Sequence, residues 1–328
     1  MNAENRSLKA LLPIGIITII FLALLSVATV YDLQISEAIA DLNGKNYISP
    51  NLFGRVFEVF GEDPVYIISA IGGCFVIMGL PKVIKNKKLF VALKVLLLII
   101  IVFDYTYMTK KVIKYLSEHF DKYALYEGKK LAVWGVSAVF GLVFTAITLF
   151  FTSKVKEEKA LGLLIWGVIA IATFALSQGF VQGIKPFVGR MRFRGIYVLN
   201  ENGLSELAKF TKWFEWNGAQ TLTEEMTAIG LTSDVFRSFP SGHTCGAAIL
   251  VTLVFLPKLL GLEGSAYKRW TVLFWTASAV LTVVVAYSRL RMGAHFLSDV
   301  SVGGYATYLA AFISEKVVKT LAKKFKLL

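Results

Sequence analysis

Two of the three histidines in the chain sit in short polar runs that border long apolar stretches. One run is Phe239-Pro240-Ser241-Gly242-His243-Thr244. The other extends from Ser288-Arg289 through His295 to Ser298-Asp299. A third polar run, Lys185-Pro186-Phe187-Val188-Gly189-Arg190-Met191-Arg192, contains no histidine but carries three cations. Pro240 and Ser241 suit a helix start, where unpaired backbone N–H groups favour an anion. Gly242 permits close approach of a phosphate, and His243 stands at the rim of that site. The same four residues would also serve as a plain helix cap with an interfacial histidine. His295 and Asp299 are four apart, one helical turn. A carboxylate there can fix the imidazole tautomer and leave the other nitrogen as a nucleophile. Lys185, Arg192 and Arg289 suit a phosphate dianion, with guanidinium able to bind two oxygens at once. Arg190, Arg194 and Arg291 read as solvated or snorkelling surface cations. No acidic cluster with metal-ligand spacing accompanies these groups. The expected reaction is therefore metal-free and needs no cofactor, with Lys and Arg neutralising charge where Mg²⁺ does so elsewhere.

The rest of the chain must position these groups. It has 328 residues, 56% of them hydrophobic, and carries 35 Lys+Arg against 22 Asp+Glu. That apolar share excludes an ordinary cytosolic globular protein. The net charge of +13 fits cationic loops beside a bilayer better than nucleic acid. Cys74 and Cys245 lie in apolar runs, which excludes a disulfide scaffold and a cysteine zinc site. A bilayer span takes about 20 mostly apolar residues. Eight segments come near that: 10–31, 64–80, 89–109, 131–153, 161–184, 242–262, 270–288 and 296–314. They are continuous and not alternating, so the expected fold is an all-α polytopic membrane helix bundle. Arg6, Lys9 and the Ser26-Val27-Ala28 end of the first segment also resemble a signal peptide, but the run is long enough to anchor.

Eight helices place both termini on one side. The loops with Lys82, Lys85, Lys87 and Lys88, with Lys154, Lys156 and Lys159, and with Lys258, Lys268 and Arg269 make that side cytoplasmic, as does the lysine-rich tail. The loop 110–130, with six lysines and three acids, argues the other way. The orientation puts the stretch 185–241 and the break 289–295 together on the extracytoplasmic face. The run Phe210-Thr211-Lys212-Trp213-Phe214-Glu215-Trp216 would suit a lid at headgroup level, or a plain interfacial anchor.

Read together, the three clusters resemble the signature of the type 2 phosphatidic acid phosphatase (PAP2) superfamily of membrane phosphatases. That signature is Lys-x6-Arg-Pro, Pro-Ser-Gly-His and Ser-Arg-x5-His-x3-Asp. Phe193 stands where the family usually has the first proline. The resemblance implies a six-helix phosphatase core over 89–328 with an active-site loop at 185–241, and residues 1–88 as two extra spans. It implies that His295 attacks phosphorus, that Asp299 orients it, and that His243 is the acid and base. Lys185, Arg192, Ser241, Gly242 and Arg289 would hold the phosphate, through side chains and the Ser241 and Gly242 amides, with Ser288 a weaker candidate. The implied activity is hydrolysis of a lipid phosphate or diphosphate, such as a polyprenyl diphosphate, phosphatidylglycerophosphate or phosphatidate. A phosphotransferase would carry the same motifs, as would a sugar-phosphate phosphatase resembling glucose-6-phosphatase. A transporter fits poorly, because transport sites favour midplane charge on broken helices. Lys94 and Asp104, the charges inside the third segment, lie near its ends where snorkelling is cheap.

Overall fold

The computed structural model describes residues 3–120 and 129–327, and every regular element among them is helical. In chain order these are α1 (Ala3–Ile39), α2 (Leu52–Phe60), α3 (Asp63–Val83), α4 (Lys87–Phe120), α5 (Lys130–Ser153) and α6 (Ala160–Val188). There follow α7 (Phe193–Glu201), α8 (Glu224–Ala228), α9 (Gly242–Ala248), α10 (Leu256–Leu259), α11 (Gly264–Arg291) and α12 (Leu297–Lys324). A 3-10 stretch, Ile249–Phe255, joins α9 to α10. Seven runs among the described residues are long and apolar enough to cross a membrane: Leu12–Ile39, Leu52–Val83, Lys87–His119, Lys130–Ser153, Glu157–Glu201, Gly242–Leu259 and Gly264–Arg291. Many large apolar side chains on them are exposed, among them Ile19, Val139 and Val283. Such surfaces need lipid and not water. The chain is a polytopic helical membrane protein.

The structure departs from the sequence expectation in three places. The eighth expected span, 296–314, folds as part of α12 but is not among the seven apolar runs. Ser298, Asp299, Ser301, Gly303, Gly304, Tyr305 and Thr307 dilute its hydropathy. Secondly, α4 does not end at 109. It continues to Phe120, so the first part of the expected loop 110–130 is helix; residues 121–128 lie outside the described residues. Thirdly, that extension leaves Asp104 buried in mid-helix, where it does not snorkel.

The chain divides into two compact units. One combines Met1–Gly61, Ser177–Cys245 and Thr282–Leu309; the other combines Glu62–Leu176, Gly246–Leu281 and Ala310–Leu328. The second unit is a helix bundle around Val65, Trp166, Ala170 and Ile249. Trp166 spends its indole N–H on the Thr252 carbonyl at 2.9 Å, and Glu62 pairs with Lys111. The first unit holds all three motifs. Its own core is formed by Met191, Phe193, Ile196, Leu199, Val235 and Phe296, with Leu33, Leu42 and Tyr47 packed against it.

Candidate active site

α6 ends at Val188, and Gly189 takes a left-handed φ of 57°, which turns the chain into the first motif. A side chain is strained in that region, and glycine is not. Lys185 lies in the last turn of α6 and is buried. Arg192 is the N-cap of α7 in extended conformation, so Phe193 takes the first helical position. That position is where proline is favoured in helices, which explains the family's preference. Here Phe193 starts the same helix and adds a ring to the core, edge-on to Phe296 with centroids 6.3 Å apart. The replacement leaves the helix start in place.

The third motif spans the end of α11, a turn and the start of α12. Gly293 turns the chain with φ 60°. His295 lies in this turn, 1% exposed, and Asp299 is in the first turn of α12. The imidazole Nδ1 lies 2.6 Å from the Ser238 carbonyl oxygen and 3.6 Å from Asp299 Oδ2. A carbonyl only accepts, so Nδ1 carries the proton and Nε2 the lone pair. The tautomer is therefore fixed by Ser238, with Asp299 supplying field and scaffold. Asp299 Oδ2 accepts from the Ser238 hydroxyl at 2.5 Å and from the Phe296 amide at 2.8 Å. The carboxylate thus ties the third motif to the segment before the second. Burial pushes His295 down to about 3; Arg192 and Lys185 push in the same direction, and Asp299 opposes them. At neutral pH the imidazole is uncharged, the state a nucleophile needs.

The second motif opens α9 with Gly242 and His243. His243 Nε2 lies 3.0 Å from the Glu58 carbonyl oxygen. That contact places the proton of neutral His243 on Nε2 and the lone pair on Nδ1. The Ser241 hydroxyl accepts from the Thr244 hydroxyl at 3.1 Å. One expected role changes here. The Ser241 amide donates to the Asp299 carbonyl at 3.0 Å, so its N–H is committed to the protein and only the hydroxyl can face an anion.

α12 reaches this backbone because residue 303 has no side chain. A Cβ at Gly303 would lie 2.3 Å from the Ser241 carbonyl oxygen, whereas one at Gly304 meets nothing closer than 3.4 Å. Gly303→Ala is expected to cost about 1–3 kcal/mol by overpacking and to lower the melting temperature in detergent. Gly304→Ala should stay near the parent value. Equal melting of the two variants would refute this close approach.

The cations are buried and paired. Arg289 is fully buried. It contacts Glu58 Oε1 through Nη1 at 3.1 Å and donates Nη2 to the Gly54 carbonyl at 2.9 Å. Arg192 donates to the Asp234 carboxylate at 2.9 Å and to the Ala294 carbonyl, next to His295, at 3.1 Å. Two of the three arginines expected as surface cations, Arg190 and Arg194, are buried instead. Arg190 is fully buried. It donates to Asp299 Oδ1 at 2.7 Å, Ser298 Oγ at 2.8 Å, Asp32 Oδ2 at 3.0 Å and the Thr211 carbonyl at 2.8 Å. Its guanidinium lies 4.1 Å from the Phe296 ring centroid. Arg194 pairs with Glu58 and Asp234, both at 3.3 Å. Arg291 is half-buried and pairs with Asp41 at 2.7 Å. Burial of Arg190 and Arg194 demands carboxylate partners, and these come from α1 (Asp32), α2 (Glu58), α12 (Asp299) and a 3-10 turn at Ser233–Phe236 (Asp234). The sequence reading passed over Asp32, Glu58 and Asp234, which have no motif spacing to mark them. Of the aromatic run, Phe210 packs on Phe296 and Trp213 bonds Thr29 Oγ1 at 2.9 Å, while Phe214 and Trp216 are exposed.

The described fold and site define a polytopic helical membrane protein in which two histidines, one with a carboxylate beside it, sit among lysine and arginine. Residues 166–323 match the family model of the PAP2 superfamily. This stretch includes all three motifs. A 91-residue part of the chain is 34% identical to the phosphatidylglycerophosphatase B of Bacillus subtilis (strain 168), over 27% of this chain and 42% of that protein. The chain therefore spans under half the length of that curated relative. No solved structure matches.

Proposed function

We propose that the protein is a metal-independent membrane phosphatase that hydrolyses a lipid phosphate through a phosphohistidine. The observation that carries this reading is the tautomer of His295: Nδ1–H held by the Ser238 carbonyl, Nε2 left with its lone pair, and the imidazole neutral by burial. Nε2 attacks phosphorus, and the bond to the leaving alkoxide oxygen breaks. His243 enters the step as the imidazolium, with Nε2–H on the Glu58 carbonyl; it gives its Nδ1 proton to that oxygen and, now neutral, takes one back at Nδ1 from the water that cleaves the phosphorus–nitrogen bond. The products are the lipid alcohol and inorganic phosphate, and both histidines return to their starting state. Lys185, Arg192, Arg289, the Ser241 hydroxyl and the Gly242 amide hold the phosphoryl oxygens and balance their charge. Asp299 is a positioning residue, since it acts through His295. The relative's name points to phosphatidylglycerophosphate as the first substrate to try. The lysines of the loops around residues 82–88 and 154–159 support an extracytoplasmic site with cytoplasmic termini.

The test uses the full chain in detergent micelles with excess EDTA. Phosphatidylglycerophosphate, phosphatidate, a polyprenyl diphosphate and glucose 6-phosphate are offered separately, and free phosphate is measured. Hydrolysis of a lipid phosphate should persist under chelation and exceed that of the sugar phosphate. Loss of activity in EDTA would overturn the metal-free reading. Transfer of label to an added alcohol in place of water would make the protein a phosphotransferase.

A further inference from the structure

We propose that Glu58, on α2, is a positioning residue of the phosphatase site, fixing the Arg289 fork that receives the substrate phosphate. This rests on the reading above. Glu58 lies outside residues 166–323, the stretch that matches the family model. It is buried, and a buried carboxylate persists only where cations compensate it. Its Oε1 lies 3.1 Å from Arg289 Nη1 and 3.3 Å from Arg194 Nη1. Two guanidinium groups therefore share one oxygen. Without the carboxylate they would face each other as like charges in a buried setting, where repulsion is poorly screened. One turn of α2 supplies the rest of the cradle. The Gly54 carbonyl accepts from Arg289 Nη2 at 2.9 Å. The Glu58 carbonyl, in the last turn of the helix where carbonyls lack intrahelical partners, meets His243 Nε2 at 3.0 Å. A single residue thus contacts a phosphate-binding arginine through its side chain and the acid–base histidine through its backbone. α2 is built to be held in place: Asn51 caps its start by accepting from the Gly54 amide at 2.8 Å, and the Asn51 amide group donates to Asp41 at 2.8 Å.

The functional consequence separates the two contacts. Glu58→Gln removes the charge but leaves the backbone carbonyl on His243. Phosphate affinity should fall while the acid–base limb of the pH profile stays in place. Inorganic orthovanadate, a mimic of the transferring phosphoryl group, is the probe. In the full-length protein in detergent, Glu58→Gln should weaken orthovanadate inhibition tenfold or more, raise KM and leave the kcat–pH profile unshifted. Glu58→Asp, which keeps the charge on a shorter arm, should recover part of that affinity. A residue needed only for folding would lower the yield and melting temperature, while the folded fraction kept the parent inhibition constant. Unchanged or tighter inhibition in folded Glu58→Gln overturns the proposal. Should Glu58→Gln fail to fold, Glu58→Asp decides it: threefold or greater weakening supports the role, and parent-like inhibition overturns it. If the parent hydrolyses no lipid phosphate, the phosphatase reading itself fails. If the parent is active and both Glu58 variants match it, only the Glu58 assignment fails.

Discussion

His295→Ala is expected to lower lipid-phosphate hydrolysis by roughly four orders of magnitude or more, the scale seen when a covalent nucleophile is removed from groups that act as a unit. The substrate should still bind, because the proposed phosphate ligands Lys185, Arg192 and Arg289 are untouched. KM should therefore change far less than kcat. In the parent, quenching during turnover with alkaline detergent, which spares the acid-labile phosphorus–nitrogen bond, should trap label on one histidine, and His243→Ala should increase that trapped fraction by slowing hydrolysis of the intermediate. Equal activity of His295→Ala and parent would end the phosphohistidine reading. A second readout does not need catalysis. Folded His295 is held neutral down to about 3, whereas an unfolded imidazole titrates near 6.5. Between those values the unfolded chain binds the proton and the folded chain does not. Stability therefore falls as pH drops through that window, by at most about 1.4 kcal/mol per pH unit from this group. His295→Gln removes that contribution, so its melting temperature should depend less on pH between 6.5 and 4 than the parent's. A parent-like slope in the variant would show that His295 titrates freely in the folded protein.

The sequence made some of this site legible and hid the rest for a physical reason. Local spacing carries information about groups that share one helix turn or one helix start. His295 and Asp299 follow that rule, as do Ser241, Gly242 and His243. Long apolar runs likewise announce spans, because the bilayer sets their length. α4 shows the limit of run counting. Its apolar residues thin out after 109, but no Pro or Gly follows until Gly128, and the helix continues to Phe120 with Lys111 paired to Glu62. Buried ion pairs between distant segments leave no spacing at all. Arg190 meets Asp32 across 158 residues of chain and Asp299 across 109. Nothing in the run Lys185–Arg192 separates Arg190, which is sealed inside the protein, from a cation that snorkels. Asp32 reads as an interfacial acid at the end of an apolar stretch. The pairing becomes visible only when the fold brings α1 and the two motif segments into one compact unit.

Arg190 is the residue on which that hidden part of the site turns. Arg190→Met is expected to destabilise the protein by about 3–5 kcal/mol, the cost of removing one partner from a buried charge network. The reason is the company it leaves behind. Asp32 and Asp299 are both buried and both rely on this guanidinium. Ser298 links them further, donating its amide to Asp32 Oδ1 at 3.0 Å and its hydroxyl to Asp32 Oδ2. With Arg190 gone, two carboxylates remain in one dry pocket with only hydroxyl and amide donors. Asp299 also loses the bond that aims it. The His295 turn and the Ser241 backbone follow, because Asp299 accepts from Ser238, Phe296 and, through its carbonyl, Ser241. Activity should therefore fall with stability, although Arg190 is not among the proposed phosphate ligands. Arg190→Lys should recover little, since one ammonium cannot reproduce a fork that serves Asp32, Asp299 and the Thr211 carbonyl together. A double-mutant cycle isolates the cause. Asp32→Asn is expected to destabilise the parent but to be neutral or stabilising in the Arg190→Met background, where it removes an unpaired buried charge. Additive losses would mean that the two side chains are not coupled. A folded Arg190→Met protein with parent-like melting and turnover would show instead that this arginine is the surface cation its sequence context suggests.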